Sequence, residues 1–248
     1  MDRDWDLKAM HRLMVSSATF RQSSQVSPES LSIDPENTWL ARSPRIRLQA
    51  EAVRDVALTV SGLLTPKIGG PSVYPPQPEG VNALAYGSSA WPTAKGPDRY
   101  RRGLYTYMKR TAPYAGFMVF DAPTAEVTCV RRIRSNTPLQ ALTLLNDPVF
   151  MEATKALAMR TQQQGGRVAK KIEYLYMACL SRLPDNTEKD HVVDFFNQMT
   201  DHFNTNQIEL EKILPEESDI SEEDRPELAA WIAVCRVVLN LDEMITRG

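Results

Sequence analysis

Apolar residues recur at helical spacing through most of the chain. Leu7, Met10, Leu13, Met14 and Ala18 fall three and four apart, which predicts an amphipathic helix over residues 4–19. A Ser-rich stretch over 16–32 breaks the pattern, and Asp34-Pro35-Glu36-Asn37 reads as a turn or a short helix start. Ile46, Ala50, Val53, Ala57, Val60 and Leu64 form the cleanest stripe of the first half. They predict a helix over 45–64, with Pro44 in its first turn and Pro66 closing it.

Residues 65–98 change character. Seven prolines and five glycines fall there, so no regular helix can persist. Tyr74, Tyr86 and Trp91 argue that this segment packs against something. Next come Tyr100 to Met108, aromatic and partly alternating, then the short apolar runs 117–120 and 127–130. These read as three short strands, hence a small irregular β element at about 100–130.

The second half returns to helical spacing. Thr137-Pro138-Leu139-Gln140 is a capping box with proline at the first helical position, opening a helix to Leu145. Asp147-Pro148 starts another, to about Gln163. Stripes over 167–182, 187–203 and 226–246 predict three more, with a polar, acidic link over 204–225. The expectation is a mainly α fold in one domain over 1–248. Its sub-regions are helical 1–64, the Pro/Gly-rich loop and short strands of 65–134, and helical 135–248.

Composition narrows the chemistry mainly by exclusion. The 42% apolar and 24% charged content is that of an ordinary folded domain. A net charge of -2 argues against nucleic acid as a partner of the whole chain, and no apolar run approaches the ~20 residues of a membrane span. The N-terminal residues lack a signal-peptide pattern. Three isolated cysteines, Cys129, Cys179 and Cys235, make neither a disulfide framework nor a zinc pattern. No Cys-x-x-Cys-His is present, so no covalently attached haem and no other cofactor is expected in this chain. His191 and His202 are about 16 Å apart on one helix, too far to share a metal. His-Glu-x-x-His, Gly-x-Ser-x-Gly, Walker and Gly-x-Gly-x-x-Gly motifs are all missing.

Charge is unevenly placed. From Arg99 to Arg134 eight cations face two carboxylates, Asp121 and Glu126; from Asp201 onward twelve carboxylates face four cations. The sharpest constellation is Arg131-Arg132-Ile133-Arg134 before the capped helix at Thr137, where guanidinium forks and helix N–H groups can meet an anion. The candidate binding residues are Arg131, Arg132, Arg134, Asn136, Trp91 and Tyr105. The competing reading is structural: arginines this dense pair with carboxylates, for which Glu51, Asp55 and Asp121 are the candidates. The same carboxylates are the nearest thing to an acid–base pair, although no spacing selects one.

Several strings, taken together, resemble a known family. They include Leu7-Lys8-Ala9-Met10-His11-Arg12-Leu13, Asp34-Pro35-Glu36-Asn37, Arg47-Leu48-Gln49-Ala50-Glu51, Gly69-Gly70-Pro71-Ser72-Val73 and Phe120-Asp121-Ala122-Pro123. Asn136-Thr137-Pro138-Leu139-Gln140, Leu145-Asn146-Asp147-Pro148 and Leu239-Asn240-Leu241-Asp242-Glu243 follow in order. The chain is similar, from residue 4 to 247, to the planctomycete domain-of-unknown-function family fifteen fifty-three. The resemblance implies the C-terminal part of a larger exported or periplasmic protein, associated with a cytochrome-c-like module and other domains. It carries no catalytic residue. Two expectations stand: a binding or scaffolding module for a glycan or anionic polymer, or a polysaccharide-active hydrolase or lyase working with a redox module.

Overall fold

The computed structural model describes residues 5–81, 91–215 and 220–247. Among them lie eleven α-helices and a single two-stranded antiparallel pairing, so the chain is mainly α. The residues divide into two compact units, one of 1–48 with 245–248 and one of 49–244.

In the smaller unit, α1 (Leu7–Ser16) starts where Asp6 accepts the Ala9 N–H at 3.0 Å. Its periodicity holds, yet Leu7, Met10, Leu13 and Met14 are all exposed. Helix α2 (Pro28–Ile33) is capped by Ser27 and has proline at its start. The Asp34-Pro35-Glu36-Asn37 string is the turn that follows. The Asp34 carboxylate accepts the N–H groups of Thr38 and Trp39 at 2.8 and 2.9 Å, while Arg42 reaches the carbonyls of Asp34 and Pro35. The Trp39 hydrogen bond is the main force holding the Asp34 carboxyl below its ordinary range.

The small sheet is also in this unit, and its position corrects the sequence reading. Strand β1 (Ile46–Arg47) pairs with β2 (Thr246–Arg247), from the far end of the chain. Residues 45–49 are therefore not helical: α3 runs Ala50–Ser61, with Gln49 at its N-cap, and Pro44 lies outside it. Gly62, not Pro66, ends α3, in the left-handed region at φ +80°.

The expected strands at 100–130 are absent as such. Residues Gly96–Tyr100 and Gly103–Tyr105 form 3-10 turns, and Phe117 to Val119 belong to α4 (Ala115–Val119). Residues 127–130 have no regular structure. What survives is two isolated parallel bridges, Thr65 with Arg101 and Val73 with Thr106. A short apolar run cannot distinguish strand from buried helix; here Tyr114, Phe117 and Phe120 turn inward as one helical face.

The larger unit is built around α10 (Arg225–Leu239). Leu228, Trp231, Ile232, Cys235 and Val238 are buried on it, as are Ala229, Ala230 and Val234, so this helix is apolar nearly all round. It packs mainly on α6 (Pro148–Gln162) and α8 (Asn186–Thr205). Helix α5 (Pro138–Asn146) precedes α6, α7 (Val168–Leu180) lies between α6 and α8, and α11 (Asp242–Ile245) follows α10. The expected acidic link contains one further helix, α9 (Gln207–Ile213), which buries Leu210. Asp185 and Glu188 form a capping box at α8. Arg182 spans from Glu188 to Glu243, tying the start of α8 to α11. Cys235 is buried and Cys179 half-buried on helices, as their stripes predict, and burial pushes the Cys179 thiol up to about 12.

The interior also holds charge. Arg54 on α3 is buried at 2% exposure; its Nη2 donates to the Arg99 carbonyl at 2.9 Å, while Nε and Nη1 have no hydrogen-bond partner among the described residues. Nearby, Asp147 caps α6 by accepting the Val149 N–H at 2.9 Å. Burial pushes the Asp147 carboxyl from its ordinary 3.8 up to about 6, against the lowering effects of the Val149 hydrogen bond and the Arg54 charge. Its folded pKa therefore lies above the unfolded one. The stability contributed by the protonated group is complete below about pH 4 and is lost as pH rises through 6, on the order of 2–3 kcal/mol. Asp147→Asn keeps a capping oxygen and removes that dependence. The variant should melt higher relative to the parent at pH 7.5 than at pH 4. If it instead loses more stability at pH 7.5, the ionised carboxylate is what holds Arg54 in place.

A candidate anion site on the 121–135 loop

The arginine segment sits on a loop whose two ends are tied together by Asp121. This residue has φ +61°, a conformation that Asp adopts more readily than most residues. Its Oδ2 accepts the Ser135 N–H at 2.7 Å, and the Ser135 hydroxyl reaches both carboxylate oxygens, at 3.0 and 2.8 Å. Gln140, buried on α5, donates from Nε2 to the Val119 carbonyl and to Ser135 Oγ, at 3.0 and 3.1 Å. Its Oε1 accepts the Thr137 N–H as part of the predicted capping box. One clamp therefore joins the end of α4, the start of α5 and both ends of the loop. The start of α5 is capped from within, so it is less open to an anion than its sequence suggests.

Within the loop the three arginines part ways. Arg132 donates from Nη1 to Glu51 Oε2 at 2.7 Å and from Nη2 to Glu51 Oε1 at 3.1 Å, a bidentate pair. Nη1 also reaches Gln49 Oε1 at 3.0 Å. Burial pushes the Glu51 carboxyl upward, but the Arg132 hydrogen bond and charge outweigh it, and the net shift is downward. Arg131 and Arg134 are exposed and make no hydrogen bond or ion pair among the described residues. With Gln49, Pro123, Cys129 and Arg132 they line a cleft of about 880 Å³. A second recess of about 620 Å³ lies against the same loop, floored by Met118, Ala122 and Val127. Asn136 is exposed beyond the clamp.

The remaining candidates hold the fold together. Asp55 turns to Arg102 Nε at 3.0 Å and the Gly103 N–H at 2.6 Å, away from the arginine loop. Gly103 is required there, because a Cβ would lie 3.0 Å from the Glu51 backbone. Trp91 donates to the Pro75 carbonyl at 2.7 Å and stacks on Tyr114 at 6.0 Å between ring centroids. Tyr105 lies under the Arg101 guanidinium at 3.8 Å, and its hydroxyl accepts the Gly69 N–H. Arg101, buried at 1% exposure, donates to the carbonyls of Lys67, Gly69 and Pro71 and so organises the Pro/Gly-rich segment. Tyr86 falls outside the described residues.

Sequence reasoning missed Arg54, Arg101 and Ser135. Nothing in the local pattern of either arginine marks it as buried, and Ser135 gains its role only through its distant partners Asp121 and Gln140. Among the described residues no group of His, Cys, Asp and Glu is arranged to hold a metal, and no helix is long and apolar enough to cross a membrane.

These features belong to a mainly helical chain. The chain belongs to the family described as PSD1, protein of unknown function (DUF1553), whose profile matches residues 1–196. The match ends within α8, so the Leu239–Glu243 string lies beyond it. No curated protein and no solved structure matches the chain.

The geometry predicts unequal costs for removing the arginines. Arg132→Ala strips a half-buried carboxylate of its bidentate partner and should cost about 1–2 kcal/mol, between exposed and buried pairs. Arg131→Ala and Arg134→Ala should leave the melting temperature within about 1 °C of the parent, since exposed residues without partners contribute little to stability. Equal losses for all three would refute this division.

Proposed function

We propose that the chain is a non-catalytic binding or scaffolding module that takes an anionic polysaccharide at the cleft of the 121–135 loop. We further propose that it serves within an exported, cell-envelope protein associated with a cytochrome-c-like module. The observation that carries the binding reading is the pair Arg131 and Arg134. Neither makes a hydrogen bond or ion pair among the described residues, and both line one cleft whose third arginine is anchored to Glu51. Guanidinium forks free of internal carboxylates are suited to sulfate or carboxylate groups, and a fixed neighbour limits what the loop loses in ordering.

The carboxylates support binding over catalysis. Glu51 is held by Arg132, Asp55 by Arg102 and Gly103, and Asp121 by Ser135. Acid–base work on a glycosidic bond needs two carboxyl groups facing one cleft and free to exchange protons. Each of these three is engaged in joining one segment to another.

Chromatography on a sulfated and on a carboxylated polysaccharide tests the proposal. The parent should be retained and eluted by salt. Arg131→Ala and Arg134→Ala should each elute earlier, with a loss of about 1 kcal/mol or roughly fivefold in affinity, at unchanged melting temperature. Co-elution of both variants with the parent on both matrices would refute the site.

A further inference from the structure

A separate trough lies in the helical half of the larger unit, remote in sequence from the arginine loop. Helices α6, α8, α9 and α10 bound a concavity of about 830 Å³, within the range of small-molecule sites. Its apolar lining includes Met151, Phe195, Met199, Ile213 and Val237. The two methionines can adapt to an irregular apolar guest, and Val237 remains 46% exposed on a helix otherwise committed to the core.

The charge around the trough is opposite to that of its surroundings. Most of its wall is drawn from the acidic end of the chain, yet three cations line it: Lys155, Lys212 and Arg236. None has a carboxylate partner among the described residues. Lys155 Nζ donates to the Leu214 carbonyl at 3.0 Å. Arg236 donates from Nε to the Leu145 carbonyl and from Nη2 to Asn146 Oδ1, both at 2.9 Å. These bonds to neutral oxygens position the two cations without neutralising them. Lys212 is exposed and makes no hydrogen bond or ion pair among the described residues. The one carboxylate among the described residues of the lining, Glu209, lies 2.7 Å from His202 Nε2. Among the described residues the apolar floor is edged by three cations against one carboxylate, which is complementary to a molecule with a long apolar body and a single negative head.

We infer that this trough is a binding site for a single-chain aliphatic carboxylate. Its chain lies along the methionine and phenylalanine floor, and its head meets Lys212 with Lys155 and Arg236 behind it. This site stands independently of the proposed arginine cleft.

Calorimetric titration of the full chain with dodecanoate below its micelle concentration tests the inference. Dodecan-1-ol and dodecyltrimethylammonium, with the same chain and a neutral or positive head, serve as probes of the charge. Saturable one-to-one binding of dodecanoate is expected, with at least tenfold weaker binding of the other two. Lys212→Glu, at an exposed position, should weaken dodecanoate at least tenfold, and Val237→Glu should abolish it. Arg131→Ala should bind as the parent does, so that failure of the arginine cleft and failure of this trough remain distinguishable. Equal binding of all three amphiphiles, or dodecanoate affinity unchanged by Lys212→Glu, would overturn the inference. So would sedimentation showing a dimer that Val237→Glu dissociates, because the trough would then be covered by a second copy.

Discussion

The candidate site depends on how Asp121 spends its charge. Its carboxylate accepts both the N–H and the O–H of Ser135, and Gln140 backs Ser135 from within α5. Holding the ends of a long loop together is an entropic cost that grows only slowly with length, so a few well-made hydrogen bonds suffice to present the residues between them. The same bonds set where α5 begins and place Arg132 within reach of Glu51 on α3. The clamp and the Arg132–Glu51 pair together keep Arg131 and Arg134 on one cleft.

A common theme runs through the larger unit: several cations organise backbone and do not meet carboxylates. Arg101 gathers three carbonyls of the Pro/Gly-rich segment, Arg54 takes the Arg99 carbonyl, and Arg236 takes that of Leu145. Segments rich in proline lack donors and cannot satisfy one another's carbonyls by regular structure. Buried guanidinium groups with several donors fill that deficit. The high count of arginines between residues 99 and 134 therefore has two origins. Arg101 and Arg132 are structural, while Arg131 and Arg134 make no hydrogen bond or ion pair among the described residues.

What was legible in the sequence was local. The capping box at Thr137 and Gln140 needs only four residues, and the stripes of α6, α7, α8 and α10 need only their own periodicity. What was not legible depended on distant partners. Residues 46–47 continue a helical stripe, yet they pair with Thr246 and Arg247. The aromatic alternation from Tyr100 to Met108 imitates a strand, but Tyr105 is taken up by Arg101 and Gly69, leaving only single bridges. Helix α9 was hidden by the acidic composition around it, although Leu210 and Leu214 are buried. At the site, the Glu51 pairing was anticipated in kind, whereas Asp55 turned to Arg102 and Trp91 to Tyr114.

The central claim is that neighbouring arginines of one short segment have different tasks, one anchoring and two free to bind. Nitrogen-15 spectra of the arginine Nε–Hε groups, assigned with single Arg→Lys variants and followed while a sulfated oligosaccharide is added, test it most directly. The account predicts that the Arg132 signal, whose guanidinium is held through Nη1 and Nη2 by Glu51 and Gln49, stays in place, while the Arg131 and Arg134 signals move and saturate together. Movement of Arg132 along with its neighbours, or no change at Arg131 and Arg134 at saturating ligand, would contradict it.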